Sequence, residues 1–198
     1  MLKPISILVI FLIFSCTNEN EKNEVGSGET GASKNEAPKD LKTLLFRVKQ
    51  LEDSITTEVT KDPNKPIGSF VFLDLINRLK DVANNFPEAP ETAGCLFKLH
   101  MKYGEMKGFK ESLCYGDTLL NRFPSFKDRN LLLQSMATTY DLSLKPRDSK
   151  KVEYYLKLLL ESKTLPENEK AEIKNRLKYI NLDVLAYSTK LNSSKITR

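Results

Sequence analysis

The chain has 198 residues, a formal net charge of +5 and 40% hydrophobic residues, enough for one modest globular domain around a single core. One histidine and three cysteines leave no histidine-rich metal site, so neither a metal nor a cofactor is expected. Lysine and arginine are interspersed with glutamate and aspartate throughout, and without a basic run carrying aromatics nucleic acid is set aside as a partner.

Residues 1–15 combine Lys3, an apolar run from Pro4 to Phe14, and small Ser15. A basic start, a short greasy stretch and a small residue at the cut predict a cleaved signal peptide, since a membrane-spanning helix needs about 20 apolar residues. Cys16 follows directly. Ile13, Ser15 and Cys16 fit the lipobox, with Phe14 bulkier than the usual residue there, so the segment resembles the signal of bacterial lipoproteins. The resemblance implies that the Cys16 sulfur receives a diacylglycerol, that the mature chain starts at this lipidated residue, and that it hangs from a membrane of the cell envelope, the outer one in the first instance, on its periplasmic or surface face. From Thr17 to Pro38 the only large apolar residue is Val25, too little to offset the entropy of ordering, and residues 16–38 are therefore predicted to be a lipidated tether. Its 22 flexible residues have a root-mean-square reach of about 25 Å and an extended reach of roughly 70 Å. Glu19, Glu21 and Glu24 close behind Cys16 resemble the acidic export tracts of Bacteroidota lipoproteins, which implies surface display.

Residues 39–187 read as an all-α domain. Leu41, Leu44, Leu45, Val48, Leu51 and Ile55 lie at helical spacing after Pro38 and Asp40, which suit a helix start. The same period returns in Phe72, Leu75, Ile76, Leu79, Val82 and Ala83, closed by Pro87, and then in Leu96, Leu99, Tyr103 and Met106. Phe109 to Phe123, Leu132 to Tyr140, Val152 to Leu160 and Ile173 to Val184 continue it, giving about seven helices, with residues 188–198 left as a flexible tail. From residue 39 onward 28 basic residues face 21 acidic ones, a surplus of +7. No stretch concentrates it, and solvated helix faces account for it.

Asn85-Phe86-Pro87 and Arg122-Phe123-Pro124 are one punctuation repeated 37 residues apart, and Leu165-Pro166 comes 42 residues later, with an insertion over residues 145–149. Each interval holds two amphipathic helices. Since a pair cannot bury its apolar faces alone, the expected architecture is a short solenoid of antiparallel pairs. Leu99, Tyr103, Gly108, Phe109 and Phe123-Pro124, and in the next unit Met136, Ala137 and Tyr140, resemble the tetratricopeptide repeat, although His100 and Ser112 stand where the family has small residues. The likeness runs from Lys39 to Leu185 and implies a right-handed solenoid like those of envelope lipoproteins that scaffold other proteins.

In that register Phe97, Lys98, Met101, Lys102 and Glu105 of one unit and Gln134, Thr138 and Asp141 of the next are offset from the core stripe and point into a concave groove. The expected role is non-enzymatic: another envelope protein lies in this groove, and no small-molecule substrate is involved. One alternative is a small thiol-dependent enzyme, because the hairpin about Lys107 brings Cys114 near His100. No orienting carboxylate or oxyanion glycine accompanies that pair, and packed thiols are the plainer explanation. Another is a lipid- or polysaccharide-binding lipoprotein that uses the basic surplus. A Cys95–Cys114 disulfide is conceivable in an oxidising envelope, but folding the hairpin about Lys107 sets Cys114 opposite residues nearer Leu99 than Cys95.

Overall fold

A computed structural model describes residues 40–64 and 68–196; the signal segment, Cys16, the tether and the extreme C-terminus lie outside the described residues. These fold into eight α-helices with no strand among them: α1 (Leu41–Lys61), α2 (Ser69–Asn85), α3 (Pro90–Glu105), α4 (Phe109–Arg122), α5 (Arg129–Thr138), α6 (Ser149–Leu160), α7 (Glu167–Lys178) and α8 (Val184–Ile196). The all-α class is as predicted. A π-helical turn, Thr139–Ser143, continues α5.

Local chemistry explains the boundaries. Asp40 opens α1 by accepting from the Thr43 amide at 2.7 Å and its hydroxyl at 2.9 Å, and the amide bond is the first reason its carboxyl sits below the usual carboxylate value. Asp148 does the same for α6 through the Lys151 amide at 3.0 Å. Pro90 occupies the first turn of α3, where its missing N–H is no loss. The Phe-Pro punctuation has a structural counterpart. Phe86 ends α2 and Phe123 ends α4 in nearly the same conformation (φ −133°, ψ 58° and φ −128°, ψ 67°), each with its amide 2.9 Å from the carbonyl four residues back. The next turn repeats as well: the Ala89 amide meets the Phe86 carbonyl at 3.2 Å and the Phe126 amide meets the Phe123 carbonyl at 3.0 Å. A 37-residue repeat is thus written into backbone hydrogen bonds as well as residue types.

Consecutive helices from α1 to α7 pack against each other along the chain, and the apolar stripes of α1 to α6 merge into one core. Leu79, Val82, Leu99, Leu119, Leu132, Leu133 and Met136 are entirely buried there. Polar ties join several alternate helices. Lys98 of α3 meets Glu52 of α1 at 2.6 Å, His100 of α3 meets Ser135 of α5 at 2.9 Å, and Arg176 of α7 meets Asp141 after α5 at 3.0 Å. On the even side, the Tyr155 hydroxyl of α6 donates to Asp117 of α4 at 2.6 Å. Burial first, and that carboxylate second, push the Tyr155 hydroxyl far above the usual tyrosine value.

Two expectations need correcting. The seventh predicted helix, Ile173 to Val184, is two: α7 stops at Lys178, a turn occupies residues 179–183, and α8 starts at Val184. In the turn the Ile180 and Leu182 carbonyls accept from arginine side chains, the Tyr179 carbonyl accepts from Arg176 and from the Leu182 amide at 3.0 Å, and Asp183 caps α8 by accepting from the Ala186 amide at 2.8 Å. Residues 184–196, most of them assigned above to a tail, are therefore helical. As the hairpin register implies, no Cys95–Cys114 bridge forms: Cys95 is a free, buried thiol, its pKa pushed up to about 11 by burial.

Gly116 is where close packing is tightest. A methyl group there would stand 2.9 Å from the Met136 sulfur and 3.2 Å from His100 Nδ1, and both neighbours are buried. Gly116→Ala is expected to lower stability by about 1–3 kcal/mol, measured as a lower urea midpoint with helical content unchanged.

Candidate functional site

The eight residues expected to line one groove divide between two places. Those on α3 are engaged within the molecule: Lys98 in the ion pair to Glu52, Lys102 with Glu105 at 2.9 Å and over the Phe72 ring, and half-buried Phe97 against Phe126 with ring centres 5.3 Å apart. Met101 is half-buried and Glu105 exposed. Gln134, Thr138 and Asp141 instead border a cleft of about 290 Å³ between α5, α6, α7 and α8. A second cleft, of about 280 Å³, lies between α1 and α3 and includes Lys98, Glu52 and Glu91. Odd-numbered helices contribute to both.

The larger chemistry is in the α5–α7 cleft. Its floor is apolar, with Leu156, Ile173 and Val184 half-exposed above buried Val152 and Leu159, while Glu169 and Glu172 of α7 face Gln134 and Thr138 of α5 across the opening. At its inner end Asp141 is clasped by two guanidinium groups. Arg147 Nε donates to Asp141 Oδ1, and Arg176 Nη2 donates to both carboxylate oxygens at 3.0 Å. The remaining donors reach backbone: Arg147 Nη2 to the Ile180 carbonyl at 2.8 Å, Arg176 Nη1 to the Tyr179 carbonyl at 2.8 Å, and Arg176 Nη2 to the Leu182 carbonyl at 2.9 Å. Arg176 also lies over the Tyr187 ring at 4.9 Å, so the same group holds α8.

The π-turn makes this geometry. Closing the Leu144 amide onto the Thr139 carbonyl five residues back, at 3.1 Å, adds a residue to the turn and re-aims the chain beyond it, a device common at functional sites. Neither arginine stands out in the sequence. Arg147 lies within the insertion over residues 145–149 that stretches the repeat spacing, the one signal that points there; Arg176 reads as an ordinary basic residue in the last turn of a helix.

His100 is buried and fully engaged. Its Nδ1 lies 2.9 Å from the Ser112 carbonyl and Nε2 2.9 Å from the Ser135 hydroxyl, so both nitrogens serve helix packing between α3, α4 and α5. Cys114 is half-buried in α4. Among the described residues there is no cluster fit to hold a metal ion, no helix is long and apolar enough to cross a membrane, and no buried side-chain nitrogen or oxygen lacks a hydrogen bond.

These buried groups have two measurable effects. Burial holds the His100 pKa below its usual 6.5, so as pH falls the unfolded chain binds a proton before the folded one; stability should therefore decline as pH drops through and below about 6.5, and a His100→Gln variant should show a flatter decline in pH-dependent urea unfolding. Asp141, Arg147 and Arg176 side chains are only 11%, 15% and 12% exposed, so Asp141→Ala strands two cations. It should cost about 3–5 kcal/mol in denaturant unfolding, with amide-exchange protection lost first over residues 179–187.

Comparison with protein-family models, with curated proteins and with solved structures found nothing that matches this chain.

Proposed function

We propose that this chain is an envelope lipoprotein whose helical-repeat domain docks another envelope protein. In this reading Cys16 carries the diacylglycerol, residues 17–38 hold the domain off the lipid surface, and stacked tetratricopeptide-like pairs present their odd-numbered helices to the partner. The recurring Phe-Pro helix ends and the ties that join α1 to α3, α3 to α5 and α7 to the end of α5 support the solenoid. A lipobox-like Ser15-Cys16 behind a short apolar run supports the anchor.

The observation that carries the docking role is the α5–α7 cleft. It joins an apolar floor to a polar rim that includes exposed Gln134 and Thr138, two residues that the repeat register alone assigns to an open face, with nearly buried Asp141 at its inner end. An apolar depression ringed by hydrogen-bonding groups is the form in which partner segments are gripped.

Both halves are open to test in intact cells. Metabolic labelling with a clickable fatty acid should mark the wild-type chain in the membrane fraction, whereas Cys16→Ala should lose the label and leave that fraction. Gln134→Lys combined with Thr138→Lys alters exposed side chains only, so the fold should hold while crosslinking to the partner falls by about tenfold. Unlabelled wild-type chain would refute the anchor, and unchanged crosslinking would refute the cleft.

A further inference from the structure

We infer that the α5–α7 cleft takes an amphipathic, cationic segment of the partner: a large apolar side chain with a lysine or arginine one helical turn away. The inference rests on the docking role proposed above and adds the chemistry of the occupant. Leu156, Ile173 and Val184 form the accessible floor, and about 290 Å³ is close to the lower end of the range for ligand pockets, room for one or two aliphatic side chains rather than a large cofactor.

Charge selects the rest. The domain as a whole is basic, with 28 positive against 21 negative residues from residue 39 onward, yet the open rim carries Glu169 and Glu172. The two cations nearest the floor are not available to balance them. Arg147 and Arg176 are nearly buried and engaged with Asp141 and three backbone carbonyls, while Lys170 is held by Glu167 at 2.7 Å and lies outside the lining. An anionic segment would meet two solvent-exposed or half-exposed carboxylates with nothing to offset them; a cationic one gains two acceptors, with the Gln134 amide and the Thr138 hydroxyl opposite. Glu169 and Glu172 are three residues apart on α7 and so lie on one face, matching basic residues at helical spacing on a bound helix. The Arg–Asp–Arg group fixes α7 and α8 around the floor, so the pocket is formed before the partner arrives.

The test uses the full chain in nanodiscs of neutral lipid and a fluorescein-labelled helical peptide with leucine and lysine at three- and four-residue spacing, compared with the same peptide carrying glutamate for lysine. Fluorescence anisotropy should show the lysine peptide binding at least about tenfold more tightly. Glu169→Lys with Glu172→Lys should invert that preference, while the milder Glu169→Gln with Glu172→Gln should abolish it with thermal unfolding unchanged. Equal binding of both peptides, an unaltered preference in the charge-reversed variant, or a self-association of the chain that the charge reversal abolishes would each overturn the inference. If the rim variants leave in-cell crosslinking intact while Gln134→Lys with Thr138→Lys abolishes it, docking stands and only the charge of the occupant is wrong.

Discussion

No helix in this domain can bury its apolar stripe by itself, and the whole arrangement depends on how that requirement is met. Each stripe is covered by the next helix in the chain, so Leu79 and Val82 of α2, Leu99 of α3, Leu119 of α4 and Leu132, Leu133 and Met136 of α5 become one continuous core with no solvent contact. Burying a leucine of this kind contributes about 1.5–3 kcal/mol. The helix ends at Phe86 and Phe123 carry the same backbone hydrogen-bond pattern.

Apolar burial alone would let neighbouring pairs slide or rotate, and buried polar groups fix the register. His100 is accommodated because Gly116 and Ser112 on α4 make room for its ring and because the Ser112 carbonyl and the Ser135 hydroxyl satisfy both nitrogens. Three helices are thereby tied at one point. The buried His100 ring and the close approach of Gly116 are two sides of one packing solution.

At the C-terminal end the same task falls to charge. One carboxylate between two guanidinium groups leaves an excess positive charge in a nearly buried place, and three backbone carbonyls of the turn 179–183 absorb the spare donors. That saturation ends α7, orients α8 and leaves an apolar floor open beside it. The cleft is thus a product of a π-turn, an insertion and a long-range ion-pair network, and its acidic rim on a basic domain gives the proposed docking surface a sign as well as a shape.

Helix positions, their apolar faces and the Phe-Pro stops are legible in the residues because they depend on neighbours within about four positions: the 3.6-residue period and a missing proline N–H act locally. Gln134 and Thr138 follow the same local period and are exposed, whereas Asp141, expected on the same face, is nearly buried between Arg147 and Arg176. What the residues by themselves do not determine is which neighbour meets each face. Lys98 meets Glu52 across 46 positions, and Asp141 meets Arg176 across 35, separations at which periodicity carries no information. Those pairings engage the α3 side chains within the molecule, split the last predicted helix and make a cleft where a continuous groove is expected. Side-chain charge met over such distances is settled only when the chain has folded, since the identity of the partner is a matter of geometry and desolvation rather than of local preference.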